Sequence, residues 1–116
     1  MPNVPLVIYV DVDDTLVRSA GNKRIPMPSM ISHVRELAKE GAILYCWSSG
    51  GGDYARQTAE ELGIVDCFAA FLPKPNVVID DQSVIDWAQT MEIHPQSIGG
   101  KVVTDYWQSI QSKCRI

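Results

Sequence analysis

Apolar residues along the chain fall into two kinds of stretch. Short unbroken runs occupy residues 6–10 (Leu-Val-Ile-Tyr-Val), 42–47 (Ala-Ile-Leu-Tyr-Cys-Trp), 67–71 (Cys-Phe-Ala-Ala-Phe) and 77–79 (Val-Val-Ile). Runs of this length, rich in β-branched and aromatic residues and bounded by turn residues, predict buried strands. Between them lie stretches with helical spacing. Met30, Ile31, Val34, Leu37 and Ala38 recur on one face, with Arg35, Glu36, Lys39 and Glu40 on the other. Ser29 after Pro28 is a good start for that helix and Gly41 a good stop. A second helix is expected to be capped by Asp53, with Tyr54, Ala55, Thr58, Ala59 and Leu62 inward and Gly63 at its end.

The remaining segments carry weaker patterns. Residues 17–28 hold a Gly-Asn turn signal and two prolines, which predicts a loop or small flap. A third helix is expected over 83–90, with Val84, Trp87 and Ala88 inward, and a terminal helix over 105–113 on Tyr106, Trp107 and Ile110. Residues 98–103 suggest a short fifth strand broken by Gly99-Gly100. Strands alternating with helices imply crossover units and a mainly parallel, Rossmann-like sheet. Right-handed crossovers then predict a three-layer α/β/α sandwich with both sheet faces buried.

At 116 residues the chain is expected to form a single domain with one core. Its 46% hydrophobic content is far from that of disordered chains. Net charge is −4 without a basic stripe, which argues against nucleic acid as a partner. No apolar run approaches a membrane span, and the first residues show no signal-peptide pattern. Three cysteines, Cys46, Cys67 and Cys114, are too few and too scattered for a disulfide framework or a zinc site. Cys46 is most simply a core residue, and a reducing, cytoplasmic compartment is expected.

The candidate chemistry lies where the apolar runs end. The first stops at Asp11, Asp13 and Asp14, the second at Ser48 and Ser49 before Gly50-Gly51-Gly52, and the fourth at Asp80 and Asp81. Lys74 stands in the loop before the fourth run. Parallel strands share one carboxyl edge, where open α/β sheets bind ligands. Carboxylates gathered there suit a hard cation, magnesium above all. A lysine, hydroxyls and backbone amides entering a helix suit a phosphate. Together they describe a phosphoryl-transfer site.

In these residues the chain resembles the haloacid dehalogenase superfamily of phosphohydrolases. The resemblance rests on Asp11-Val12-Asp13-Asp14-Thr15-Leu16 after an apolar run, Ser48 closing the next, Lys74, and Asp80-Asp81 after Val77-Val78-Ile79. It implies a phosphatase in which Asp11 is the nucleophile, forming an aspartyl-phosphate, and Asp13 the general acid and base. It implies Mg2+ held by the Asp11 side chain, the Asp13 carbonyl oxygen and Asp81, with Asp80 behind it steadying Lys74. The resemblance also offers Asp86 as a carboxylate that would reach that ion through water. Ser48, Ser49 and Lys74 would hold the phosphoryl oxygens. The intervals that carry a cap domain in this family are short here, which implies a capless member. An open site of that kind calls for a large substrate that closes it or for a second copy of the chain covering it, and the acidic balance is compatible with a phosphoprotein or a small phosphorylated metabolite.

Simpler readings stand beside these. Ser48 to Gly52 alone would be an ordinary strand-to-helix turn, and Lys74 alone a solvated side chain. His33 is expected at the surface, His94 in a loop, and Trp47, Trp87 and Trp107 in packing. A receiver domain shares the length, an early acidic pair and a Lys-Pro pair, but it places a phosphorylated aspartate after a middle strand and its lysine near its end, whereas here Ser48 closes the second strand and carboxylates follow Lys74. A phosphotransferase or mutase using the same aspartyl-phosphate, and an inactive relative acting as a binding module, are the remaining alternatives.

Overall fold

The computed structural model describes residues 4–114. The sheet forms where the apolar runs predict it. Strands β1 (Val7–Asp11), β4 (Ile43–Ser48) and β5 (Phe68–Pro73) pair in parallel in the order β1-β4-β5. Helix α1 (Pro28–Lys39) links β1 to β4, and α2 (Gly52–Glu61) links β4 to β5. Both helices pack into one core with Val10, Leu44 and Cys46, on one face of the sheet. A terminal helix, α3 (Val103–Cys114), contributes Tyr106, Trp107 and Ile110 to the same core.

Burial follows from that placement. Along β4, Leu44, Cys46 and Ser48 are buried while Ile43, Tyr45 and Trp47 are partly exposed. Register puts Val10 beside Cys46 on the covered face. Met30, Val34 and Leu37 of α1 and Ala55 and Ala59 of α2 complete that core. The opposite face carries Val7, Tyr9, Ile43, Tyr45 and Trp47, and none of them is buried. The Tyr9 ring lies 5.2 Å from that of Tyr45 and 4.8 Å from that of Trp47. The expectation that both faces are buried is therefore not met.

Residues 17–28 are a β-hairpin rather than a loop. Val17–Ala20 (β2) pairs antiparallel with Lys23–Pro26 (β3) around Gly21, whose φ of 62° suits the tight turn. The expected strand over 77–79 does not form, and Ile79 is 96% exposed. Topology supplies the reason. β5 ends at the carboxyl edge, so a further parallel strand would have to begin at the far edge, roughly 20 Å away. Residues 74–76 span about 10 Å, and such crossovers ordinarily take a dozen residues or more. The expected helix over 83–90 is a single 3-10 turn, Val84–Asp86, with Val84 exposed. Residues 98–103 form no strand, and α3 begins at their end.

Other boundaries shift by a few residues, and Gly51, not Asp53, caps α2. Among the described residues no helix is long and apolar enough to cross a membrane. Cys46 and Cys67 are free, burial pushes the Cys46 thiol up to about 12, and the side chain of Cys114 lies outside the described residues.

His33 is buried rather than at the surface, and its Nε2 lies 2.6 Å from the Tyr106 hydroxyl. Burial lowers its pKa below the usual 6.5, against the opposing pull of Glu40. The unfolded chain therefore binds the proton more readily. His33 supports the fold above pH 6.5, and that support is lost as pH falls below 6.5 through the folded value. Urea unfolding across this range should show stability falling with acidity, and His33→Gln should flatten the slope. An unchanged slope would remove His33 as its source.

Candidate active site

The carboxyl edge of the sheet gathers three of the four sequence motifs. β1 delivers Asp11, β4 delivers Ser48, and the chain leaving β5 delivers Lys74. Lys74 Nζ sits 3.0 Å from Asp11 Oδ1, both side chains about one-third exposed. Thr15 Oγ1 donates to Asp11 Oδ2 at 3.3 Å. Both oxygens of the candidate nucleophile are thus oriented by donors. The Lys74 ammonium also lies 5.9 Å from the centre of the Trp47 ring, next to Asp11 in register.

Ser48 holds the edge together through its backbone. Its carbonyl accepts from the Lys74 amide at 2.9 Å and from the Gly51 amide at 3.1 Å. Its hydroxyl is 1% exposed with its residue and accepts from the Gly50 amide at 3.0 Å. The amides of Gly50 and Gly51, expected to be free for an anion, are therefore already engaged within the turn. Ser49 is exposed beside them.

The glycines have separate geometric causes. Gly51 has φ of 105°, a backbone that L side chains rarely adopt. A Cβ on Gly52 would lie 2.8 Å from the Phe71 carbonyl oxygen, so the start of α2 rests directly on β5. A Cβ on Gly50 would lie 2.9 Å from Cδ2 of Tyr54.

Asp13 occupies the turn after β1 and is exposed. The following Asp14 has φ of 61°, and its amide donates to the Val17 carbonyl at 2.7 Å, which launches the hairpin. Tyr54 Oη donates to Asp13 Oδ1 at 2.7 Å. That bond to the carboxylate, with burial, raises the Tyr54 pKa against the opposing effect of Arg24, so the phenol keeps its proton. Arg24 from β3 lies 5.0 Å over the Tyr54 ring, bonds Thr58 Oγ1 and pairs with Glu61 at 3.0 Å. The sequence pattern alone assigns no functional role to Tyr54, Thr15 or Arg24. Tyr54 fits the inner-face spacing of α2, and that spacing does not show what its hydroxyl touches.

The fourth motif stands apart. Asp80 and Asp81 lie on the exposed segment after Lys74, where Asp80 Oδ1 accepts from the Gln82 amide at 2.8 Å. Among the described residues no hydrogen bond or ion pair joins either of them to Asp11, Asp13 or Lys74. Asp86 is exposed on its 3-10 turn. No group of three or more His, Cys, Asp or Glu side chains among the described residues is poised around one point. Comparisons with protein-family models, curated proteins and solved structures find no match for this chain.

The close contact between α2 and β5 yields a direct test. Gly52→Ala places a methyl against a backbone oxygen that has no flexible side chain to yield. It should lower stability by about 1–3 kcal/mol in urea unfolding. A loss no larger than that of an exposed surface substitution would show that α2 does not rest on β5 this closely.

Proposed function

We propose that the chain is a phosphatase of the haloacid dehalogenase type, acting on a phosphate monoester through an aspartyl-phosphate at Asp11. One observation carries the proposal: Lys74 Nζ lies 3.0 Å from Asp11 Oδ1. Two residues 63 positions apart meet where the resemblance puts nucleophile and phosphoryl clamp. In the first half-reaction an Asp11 oxygen bonds to phosphorus as the ester P–O bond breaks. The leaving oxygen takes a proton from Asp13. In the second, water attacks the phosphorus, gives a proton to Asp13, and phosphate departs with Asp11 restored. Lys74, Ser48 and Ser49 counter the charge on the phosphoryl oxygens.

Magnesium belongs to this reading, and the donors suit it in kind but not yet in number. Hard carboxylate and carbonyl oxygens match its preference, and about six are needed. Asp11 and the Asp13 carbonyl are at the edge, whereas Asp81 is not gathered with them. The tip of β1 therefore does not make a magnesium site alone, and the steps above are not routed through the ion. Asp81, with Asp80 behind it, would complete the set only when the segment after Lys74 folds onto the edge. Six residues of chain from Lys74 to Asp80 reach about 20 Å, which permits it without a fourth strand.

The three-layer sandwich of the family, a cytoplasmic setting and a capless site open to a phosphorylated metabolite or phosphoprotein are parts of the same proposal. So is a second copy covering the site, for which the partly exposed Tyr9–Tyr45–Trp47 face offers apolar surface. The test is hydrolysis of p-nitrophenyl phosphate and of an alkyl phosphate with magnesium. Turnover should vanish in Asp11→Asn, and Asp13→Asn should slow the alkyl substrate by about 10²-fold or more. Turnover in Asp11→Asn equal to that of the unmodified protein would contradict the reading.

A further inference from the structure

We propose that Tyr54 is a positioning residue for Asp13: its hydroxyl holds one carboxyl oxygen so that the other faces the leaving group, and Arg24 on the hairpin braces the Tyr54 ring. The inference rests on the reading of Asp13 as acid and base, and goes beyond it by coupling that group to α2 and to the hairpin.

Asp13 has little else to hold its side chain. It sits in an exposed turn one residue before a left-handed backbone position. The turn's own hydrogen bonds and the Asp13–Val17 bridge hold its main chain, not its carboxylate. A short side chain in such a place loses rotamer freedom only when a partner fixes it. Tyr54 Oη is that partner, at 2.7 Å from Oδ1. With Oδ1 engaged, Oδ2 is left to carry the proton. In the first half-reaction Oδ2 gives its proton to the departing alkoxide oxygen as the ester P–O bond breaks. In the second it receives a proton from the attacking water. Tyr54 keeps its own proton throughout, so nothing else is consumed.

Tyr54 is in turn well placed to hold still. It lies in the first turn of α2, whose start rests on the Phe71 carbonyl through Gly52. Its ring packs against Gly50, where even a methyl group would collide. The guanidinium of Arg24 covers the ring at 5.0 Å and is fixed beyond it by Thr58 and Glu61. Thr58 closes the arrangement by donating from Oγ1 to the Tyr54 carbonyl at 3.0 Å. The hairpin begins directly after the acidic turn, so Asp13 is held from its own chain and from α2 at once.

This arrangement predicts a bias by leaving group. p-Nitrophenolate departs without a proton, whereas a glycerol alkoxide requires one. The experiment compares kcat/KM of Tyr54→Phe and unmodified protein on β-glycerol phosphate and on p-nitrophenyl phosphate, with magnesium. Tyr54→Phe removes the hydroxyl and keeps the ring, and urea midpoints check that the fold is intact. The alkyl substrate should lose about tenfold or more, and the aryl substrate only about threefold or less. Arg24→Met should show the same bias to a smaller degree. Equal losses on both substrates, or none, overturn the role of Tyr54 while the phosphatase reading stands. An unbiased Arg24→Met removes the brace. Unmodified protein no more active than Asp11→Asn overturns the phosphatase reading and this inference with it.

Discussion

The ion pair between Asp11 and Lys74, both about one-third exposed, joins the end of β1 to the chain leaving β5. Much of the local architecture follows from making that contact. Lys74 can reach Asp11 only if β5 runs parallel to β4 and ends level with it. The Ser48 carbonyl enforces that level by accepting from the Lys74 amide. The same carbonyl accepts from Gly51, so one peptide group ties the exit of β5 to the entry of α2. Gly52 then lets the helix sit against β5 without a side chain between. Each link is short, and each draws a separate part of the chain to the carboxyl edge.

The contact has a different character from the bonds that hold the core. It is partly exposed, so its worth to stability is modest. Its value is orientational. Thr15 and Lys74 each take one oxygen of Asp11, which leaves the carboxylate pinned but reachable from solvent. Asp13, two residues on, is pinned by Tyr54 in the same manner. Two carboxylates near one turn are thus given separate donors, an arrangement that suits the nucleophile and acid/base of the proposed function.

The parts of the fold read from the chain were those where burial writes the pattern. β1, β4, β5 and the two crossover helices show it, and Asp11, Ser48 and Lys74 follow from the strand ends. The hairpin escaped because Arg18, Ser19, Lys23 and Arg24 show no apolar alternation, leaving only the Gly21-Asn22 turn to signal it. Val77-Val78-Ile79 misled in the opposite sense, since an apolar triplet looks the same buried or exposed. The three residues separating it from β5 hold the missing information, because a parallel strand cannot be reached across so short a link. Asp80 and Asp81, which follow that triplet, stand on an exposed segment rather than at a strand end. His33 and Tyr54 illustrate the limit of periodicity, which places a residue on a helix face without saying what its polar atoms touch.

Whether the edge accepts a phosphoryl group at Asp11 is tested most directly by 19F NMR with magnesium and beryllium fluoride, whose tetrahedral adduct mimics an aspartyl-phosphate. A bound fluoride signal should appear with the unmodified protein, disappear with Asp11→Asn and weaken with Lys74→Met. A bound signal that persists in Asp11→Asn, or none with the unmodified protein, would contradict the assignment of Asp11 beside Lys74 as the reacting pair.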